Sequence, residues 1–477
     1  VDVKYSAIFI YYDSLQNPLF AVTLQFLQTQ NLIVDFVSVT KAGMSLNAEQ
    51  EAVVAEVMAG KSLFITGPGG TGKSYLIRLL KERLLRAGKT VAVTAMTGCA
   101  ALQLDCGAKT LHSWAGIGLG KEPIQTIVNS LQRRGDVKKR WKTTDVLIID
   151  EVSMLTPELL EKLNALAQIM RRQQLFAMGG MQVLFVGDFC QLPPVVKGDD
   201  VPTKFLFDSD VWSEIVQKTI CLKSIQRQSD PVLQRILNEA RMGTVSEESL
   251  AILQSRHISK HTLGDIQPTR IFSLNAKVED INQQNMEALE GDLVARMAKI
   301  CYAPKIDSLM GPNPENDDVK YALKRLQNDG AFVPVLSMKV GAQVMLITNL
   351  NLDAGLVNGS RGVITAFTPT NLPIVKFRNG QTLVIDLATW FTDEFPGIGY
   401  AQIPLRIAYA ITIHKSQGAT LDCALIDIGK STFEYGQAYV ALSRVRSLDG
   451  LYIHDLQVDR IRANPRIVEY YQSLASG

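Results

Sequence analysis

The sequence predicts an α/β fold that carries a smaller, β-rich unit inserted towards its C-terminal half. Three observations predict it. Residues 67–74 (GPGGTGKS) fit the phosphate-binding template GxxxxGK[ST], between a short β-preferring run at 62–66 and a stretch with Tyr75, Leu76, Leu79 and Leu80 at helical spacing. Residues 145–151 (DVLIIDE) read as an apolar strand ending in two carboxylates. Residues 337–346, 356–364 and 374–385 are instead short strands separated by Asn-Gly and Gly turns, a composition unlike the α/β alternation elsewhere.

At 477 residues the chain has room for two to four domains with full cores. It is 47% hydrophobic and 20% charged, and no apolar run is long enough to span a bilayer, so no membrane partner is expected. The net charge of +2 says little about partners. Basic residues cluster at Arg133, Arg134, Lys138, Lys139, Arg140 and Lys142, and at Arg171 and Arg172; such a cluster alone more often marks a solvated face. The six cysteines show neither CxxC pairs nor zinc spacing, which predicts reduced thiols and no structural metal. The chain begins at Val1 without a methionine, so an upstream targeting segment stays open.

In chain order, residues 1–43 alternate apolar and polar side chains in pieces such as 4–12 and 21–25 and predict two or three strands or a peripheral appendage, read here as a structural lead-in. Residues 46–60 predict a helix with Asn47 as its N-cap. Gln50 is either an adenine reader or the partner in the capping box, and spacing favours neither. In the phosphate loop, Gly67, Gly69, Gly70, Thr71 and Gly72 let backbone N–H groups face the phosphates of ATP, Lys73 reaches the β and γ phosphates, and Ser74 holds Mg²⁺. After a second buried strand at 90–94, small and hydroxylated residues make Thr97, Gly98, His112 and Ser113 candidates to touch a polyanion at the sheet's carboxyl edge. A histidine such as His112, taken alone, is more often structural. Asp150 is placed to hold Mg²⁺ through water and Glu151 to polarise the attacking water. Residues 182–194 run as a strand into a polar turn where Gln191 either senses the γ-phosphate or is a solvated loop residue.

GPGGTGKS, IIDEVSML, GDFCQLPPV, TIHKSQGATLD and AYVALSRVRSL follow one another in the order and character of superfamily I helicases of 5′-to-3′ polarity, the RecD-like subgroup. Within it, residues 159–194 resemble the signature of the petite-integration-frequency (PIF) DNA helicases, and the resemblance extends over 46–474. One departure is Phe176-Ala177-Met178 before the glycine pair, where the family has Pro-Phe. The resemblance implies two RecA-like domains, 44–220 and 221–331 with 406–477, a small β-barrel of the Src-homology-3 kind at 332–405 in the second, and an appendage at 1–43. It also implies that Arg227, in the fourth motif, and Arg444, the arginine finger of the sixth, complete a catalytic set with Lys73, Asp150, Glu151 and Gln191. Charge developing on a transferred phosphoryl group calls for cations held from outside the phosphate loop, so ATP is expected between two domains. By the same resemblance Thr412, His414, Lys415, Ser416 and Gln417 contact the DNA backbone and link it to the nucleotide, and Gly418 belongs with the nucleotide-binding residues. Trp114 and His112 are candidates for base stacking, with a core position the alternative for Trp114, and residues 311–318 read as an exposed loop.

The function implied is an ATP- and Mg²⁺-dependent DNA helicase that moves 5′ to 3′ on single-stranded DNA and opens duplexes, G-quadruplexes and RNA–DNA hybrids in repair, recombination and telomere maintenance. It would act as a monomer that can dimerise on DNA, in the nucleus and mitochondrion of a eukaryote and otherwise in the cytoplasm. Two alternatives are a helicase subunit of a larger RecD-like complex and an ATP-gated scaffold on single-stranded DNA. The long signature speaks against the first and the complete hydrolytic set against the second.

Overall fold

The computed structural model describes residues 46–118, 120–194, 204–260, 267–303, 311–328, 332–351, 354–392, 395 and 397–476. The strands expected in 1–43 lie outside the described residues. The chain divides into a unit Val1–Glu51 and a unit Ala52–Gly477. In the first, the Gln50 N–H donates to Asn47 Oδ1 (2.8 Å) and the Asn47 N–H to Gln50 Oε1 (3.3 Å). This reciprocal capping box opens the helix Ala48–Met58 and occupies the amide oxygen that an adenine reader would need.

In the second unit, β1 (Leu63–Thr66), β2 (Val91–Ala95), β3 (Lys109–Thr110), β4 (Val146–Asp150), β5 (Gln182–Gly187) and β6 (Lys218–Cys221) form a parallel sheet in the order β3-β2-β4-β5-β1-β6. Every residue of β1 and β4 is buried. A parallel sheet covered on both faces needs such unbroken apolar runs, which is why these strands were readable without alternation. After β7 (Thr269–Phe272) the chain enters an antiparallel region: β8 (Val294–Met297), β9 (Lys299–Tyr302), β10 (Val335–Met338), β11 (Gln343–Leu346), β12 (Arg361–Phe367), β13 (Pro373–Phe377), β14 (Thr382–Val384), β15 (Ala388–Phe391), β16 (Ile398–Gln402) and β17 (Leu405–Ile407). It then returns to parallel pairing with β18 (Ala410–Thr412), β19 (Ala424–Ile428) and β20 (Leu451–Leu456), in the order β18-β7-β19-β20. One buried cluster runs through both parallel sheets, holding Phe64, Leu147 and Phe185 of the first and Ile271, Ile411, Ile426 and Ile453 of the second.

The antiparallel region forms three sheets, β14-β13-β12-β11-β17, β15-β16-β9 and β10-β8. Among the described residues β14 and β17 are the outer strands of the five-stranded sheet, and a register shift between Ile364 and Ala366 bends β12. Strands β8 and β9 precede the expected start of the insertion at 332, yet pair with β10 and β16. Each has only four residues with no fully buried face, too weak a pattern to read in sequence. The loop expected at 311–318 is shorter than that. Asn316 Oδ1 accepts the N–H groups of Asp318 (2.9 Å) and Val319 (3.3 Å), capping a helix that begins at Asp317. Among the described residues no helix is long and apolar enough to cross a membrane.

Arg361, on β12, ties the five-stranded antiparallel sheet to the segments leading into β7 and β19. Its side chain, 1% exposed, donates to Asp422 Oδ1 (3.0 Å), the Gln267 carbonyl (2.6 Å) and Cys423 Sγ (2.8 Å). An ammonium keeps the charge but cannot span three acceptors in one plane. Arg361→Lys is therefore expected to cost roughly 2 kcal/mol in urea unfolding. An unchanged unfolding midpoint would show that the fork contributes nothing.

Candidate functional site

Strand β1 delivers the loop 67–72 to the N-terminus of the helix Lys73–Arg86. Gly67 has φ 145°, and a Cβ there would lie 2.2 Å from the Leu222 carbonyl oxygen; Gly72, at φ 85°, starts the helix from the left-handed region. Lys73 Nζ donates to the carbonyls of Gly67 (2.7 Å) and Pro68 (2.9 Å), and Thr71 Oγ1 to that of Pro68 (3.0 Å). Burial lowers the Lys73 ammonium below its usual range, against the pull of Asp188, Glu151 and Asp150.

Asp150 ends β4, and Glu151 follows with φ 55° and ψ 46°. A non-glycine residue held there stores roughly 1–3 kcal/mol of strain. Gly187 makes room for this turn, since a Cβ on it would stand 3.0 Å from the Val152 nitrogen. Burial, then Glu151, pushes the Asp150 carboxyl up to about 8. Burial also raises Glu151, opposed by Lys73, Arg444 and the amide of Gln417, whose Nε2 donates to Glu151 Oε2 (2.9 Å). Gln191 Oε1 lies 3.5 Å from the same nitrogen. A divalent cation would return Asp150 to its carboxylate form, and the exposed Ser74 hydroxyl with that carboxylate is the hard-oxygen donor set that Mg²⁺ takes, so these residues fit the ion.

Side chains from beyond β6 close on the same loop. The Arg227 N–H donates to the Gly70 carbonyl (3.1 Å) and its Nη1 to the Ser443 carbonyl (3.1 Å). A Cβ on Gly70 would meet Arg227 Cβ at 2.7 Å. Arg444 is 2% exposed, with Nε on the Val440 carbonyl (2.8 Å), Nη2 on Ser443 Oγ (2.6 Å) and Nη1 on the Ser416 carbonyl (3.3 Å). Burial and then Arg227 lower it to about 9, opposed by Glu151 and Tyr439. Gly418 has φ 78° and a Cβ on it would overlap Gln103 Oε1; Gln103 donates to the Gln417 carbonyl (3.2 Å).

Beneath the loop lies a buried carboxylate, Asp188. Arg241 grips it with two bonds, Nε to Oδ2 (2.9 Å) and Nη2 to Oδ1 (2.8 Å). The hydroxyls of Tyr439 (3.3 Å) and Tyr471 (3.1 Å) and the Cys190 N–H (3.2 Å) also donate to it. Tyr439 accepts the Gly69 N–H of the phosphate loop (2.7 Å), and Tyr471 accepts the Phe189 N–H (3.0 Å) and bonds Thr66 Oγ1 (2.7 Å).

The family model of PIF1-like helicases matches residues 45–247, and that of the DNA helicase Pif1 2B domain matches residues 323–367. The chain is 39% identical over 436 residues to the ATP-dependent DNA helicase PIF1 of Homo sapiens, covering 91% of this chain and 64% of that one. The crystal structure of Pif1 helicase from Candida albicans is 35% identical, with a TM-score of 0.72 over 91% of this chain and 100% of that one. The chain belongs to the PIF1-like helicase family. Pif1 helicase from Bacteroides, solved in complex with ADP-AlF3 and single-stranded DNA, is 27% identical with a TM-score of 0.60 over 91% of this chain and 98% of that one. The chain spans 63 to 65% of the length of the vertebrate relatives it matches.

In this PIF1-like helicase chain the residues expected to face a strand divide into groups. Gly98 and Ser113 line a cleft of about 220 Å³ with Thr110, Arg325 and Thr389. Thr97 Oγ1 caps the helix Gly98–Gln103 by accepting the Ala100 N–H (3.2 Å). Burial, then Arg325, lowers the His112 imidazole. Trp114 is not a stacking platform: it is 3% exposed and packs on Trp141 at a ring-centroid distance of 4.7 Å. In the fifth motif, Thr412 Oγ1 accepts the Lys415 N–H (3.3 Å), His414 and Lys415 are exposed, and Ser416 is buried with its hydroxyl on the Ile413 carbonyl (2.7 Å). Gln417, expected among the residues that contact the strand and link it to the nucleotide, carries its amide to Glu151, because the turn that exposes Lys415 directs the residue two places on inward. Asp188 and Tyr439 lie within motifs already quoted, but nothing in their spacing marks them as partners. Arg241 and Tyr471 lie outside any motif.

Removing Arg241 strands a buried carboxylate, so Arg241→Met is expected to lose about 3–5 kcal/mol in denaturant unfolding at neutral pH, and Asp188→Asn in the same chain to recover much of it. Burial alone would raise the Asp188 carboxyl, but Arg241 outweighs it and holds the group below its usual range. A lowered carboxyl stabilises the fold above its unfolded value, about 4, and the contribution fades as pH falls through the lower folded value. The deficit of Arg241→Met should therefore shrink under acid; a deficit independent of pH would assign it to packing.

Proposed function

We propose that this chain is an ATP-dependent DNA helicase that moves 5′ to 3′ along single-stranded DNA and separates duplexes. The observation that carries the reading is the convergence of both parallel-sheet regions on one phosphate loop: Tyr439 and Arg227 bond Gly69 and Gly70, while Gln417 bonds Glu151. Relatives named ATP-dependent DNA helicases, and a relative solved with ADP-AlF3 and single-stranded DNA, support the substrates. In this reading the amides of the loop and Lys73 hold the phosphates. Glu151 takes a proton from a water whose oxygen attacks the γ-phosphorus, the bond to the β–γ bridging oxygen breaks, and ADP leaves. Arg227 and Arg444 stabilise the charge that develops on the γ-phosphoryl oxygens. Mg²⁺, held by Ser74 and Asp150, would supply charge neutralisation at the phosphate oxygens. Gln191 and Gln417 place Glu151 and link it to the strand side.

The same proposal divides the chain into motor domains at 44–220 and at 221–331 with 406–477, and an insertion at 332–405. It extends to G-quadruplexes and RNA–DNA hybrids as substrates, to a monomer that pairs on DNA, and to work in the nucleus and mitochondrion where the source is eukaryotic.

The deciding experiment is strand separation on partial duplexes with a 5′ or a 3′ single-stranded tail, with ATP and Mg²⁺. Opening only of the 5′-tailed duplex, lost in Glu151→Gln, is expected; DNA-stimulated hydrolysis without opening of either would favour the scaffold. Lys73→Ala is expected to abolish ATP turnover with native circular dichroism, and full turnover in it would refute the site. Arg444→Ala should keep ATP binding and lose turnover by at least about 10³-fold, as removal of an arginine finger does. Loss of binding instead would place Arg444 in the ground-state site.

A further inference from the structure

The end of the helix Pro157–Arg171 and the turn after it lie at the amino edge of the six-stranded sheet, because they lead directly into Gln182, the first residue of β5. The phosphate loop leaves the other edge, after Thr66, which pairs with Gly187 at the far end of the same strand. Six residues of strand put about 20 Å between the two. Three segments meet at Arg171. Its Nη1 donates to the carbonyls of Trp141 (2.9 Å) and Thr144 (2.8 Å), at the end of the helix Gly135–Thr143, and its Nε to that of Gly179 (2.8 Å), beyond the turn. The turn itself is fixed: the Gln173 N–H donates to the Gln168 carbonyl (3.0 Å), and the Phe176 carbonyl accepts both the Gln168 amide (3.3 Å) and the Gly179 N–H (3.0 Å). Yet it displays Leu175 at 95% and Phe176 at 58% exposure, with Ile169 in the last turn of the helix at 38%. Apolar area held out in this way is stabilising only once something covers it. The charge around it is of one sign. Residues 137–144 and 162–187 contain no Asp or Glu, and Lys138, Lys139, Lys142 and Arg172 have no acidic partner among the described residues. Lys138 and Lys142 lie one turn apart on one side of their helix. Arg171 also lines a cleft of about 410 Å³ with Lys89, Val57, Leu84 and Val146, and the acid in its wall, Asp145, accepts the Thr90 N–H (2.7 Å).

We propose that this face docks an acidic segment of another protein, one whose apolar anchor residue packs on Leu175 and Phe176 while its carboxylates meet Lys142 and Arg172. The unpaired cations set the sign of the partner. The apolar tip selects protein over nucleic acid, because an aliphatic side chain offers a base no ring to stack on and a phosphate no hydrogen bond. The fixed turn lowers the ordering cost of docking, since Leu175 is already held in the presented position. The tip also falls where the chain departs from the family signature, at Phe176-Ala177-Met178, so the surface belongs to this chain's own sequence. It stands apart from the nucleotide site, and the inference does not rest on the helicase reading.

The test pans a display library of random short peptides on the full chain and on Leu175→Ser and Lys142→Glu, each first checked by circular dichroism; Arg172→Glu takes the place of Lys142→Glu if that variant does not fold. Peptides enriched on native protein and absent from both variants should be acidic and carry an aliphatic or aromatic residue. The affinity of a fluorescein-labelled synthetic copy, read by anisotropy, should fall about tenfold in Leu175→Ser, as loss of one buried anchor does. Lys142→Glu should weaken it by a similar factor, and exchanging a glutamate of the peptide for lysine should restore binding to that variant. The loss in Lys142→Glu should fade in high KCl and the loss in Leu175→Ser should persist. Neither variant should change ATP turnover. No enrichment over the variants, or enriched peptides without acidic residues, overturns the proposal. So does weaker oligothymidylate binding in Lys142→Glu with no peptide enriched, which assigns the face to nucleic acid. Self-association in sedimentation that is lost in Leu175→Ser assigns it to a second copy of the chain and overturns the proposal equally.

Discussion

The buried pair of Asp188 and Arg241 is the constraint around which the site is assembled. A carboxylate with no exposed surface is costly unless its lone pairs are met, and here two guanidinium N–H groups, two phenol hydroxyls and one backbone N–H meet them. The four residues that supply them come from four different elements: the turn after β5, the helix Pro231–Met242, the helix Gln437–Leu442 and the helix Pro465–Ser476. The tyrosines then pass the constraint upward, Tyr471 to Thr66 at the end of β1 and Tyr439 to Gly69 in the loop. Burial and Asp188 push both phenols up, which keeps them neutral donors. The position of the phosphate loop is therefore not a property of the glycines alone; it is shared with helices hundreds of residues away.

Above that pair the charges are balanced in a way that favours two ligands together. Asp150 and Glu151 are both raised, and Lys73, Arg227 and Arg444 are all lowered, with burial the first cause in each case. Polyphosphate alone would relieve the cations and further penalise the carboxylates. A divalent metal alone would do the reverse. Only the combination improves both sets at once, which is the electrostatic content of a metal–nucleotide site.

How much of this was legible in the sequence follows from how local each feature is. The phosphate loop, β4 with its terminal carboxylates and β5 with its turn were readable because strand, loop and helix are contiguous and each carries its own pattern. The Asn47–Gln50 cap was readable as a pair, and the structure forms both of its hydrogen bonds. The Asp188–Arg241 pair is separated by 53 residues and Asp188–Tyr471 by 283, and no local pattern encodes such contacts. Arg241, in the last turn of an amphipathic helix, reads like any dipole-compensating cation. Trp114 failed as a stacking candidate because its fate depends on Trp141, on a basic helix whose apolar face is only Val137 and Trp141. The strands of the small β-rich unit were legible from their alternation and turns, whereas whether its first and last strands pair is not something alternation encodes.

The fifth motif shows how strand and nucleotide sides can be joined over a very short distance. Its turn rises from β18 with Thr412 as the cap, exposes Lys415, and two residues later presents Gln417 to Glu151. Ser416 between them is buried and bonded to the Ile413 carbonyl, and Arg444 holds the Ser416 carbonyl from the other side. The turn has no slack: its hydroxyls cap its own backbone, and its carbonyl is tied to the arginine expected to act on the phosphate. Gln417 and Arg444 are the side chains through which this turn bears on Glu151. The first does so by a direct hydrogen bond and the second by charge, so in the proposed helicase cycle a strand contact at Lys415 would be coupled to the strained carboxylate.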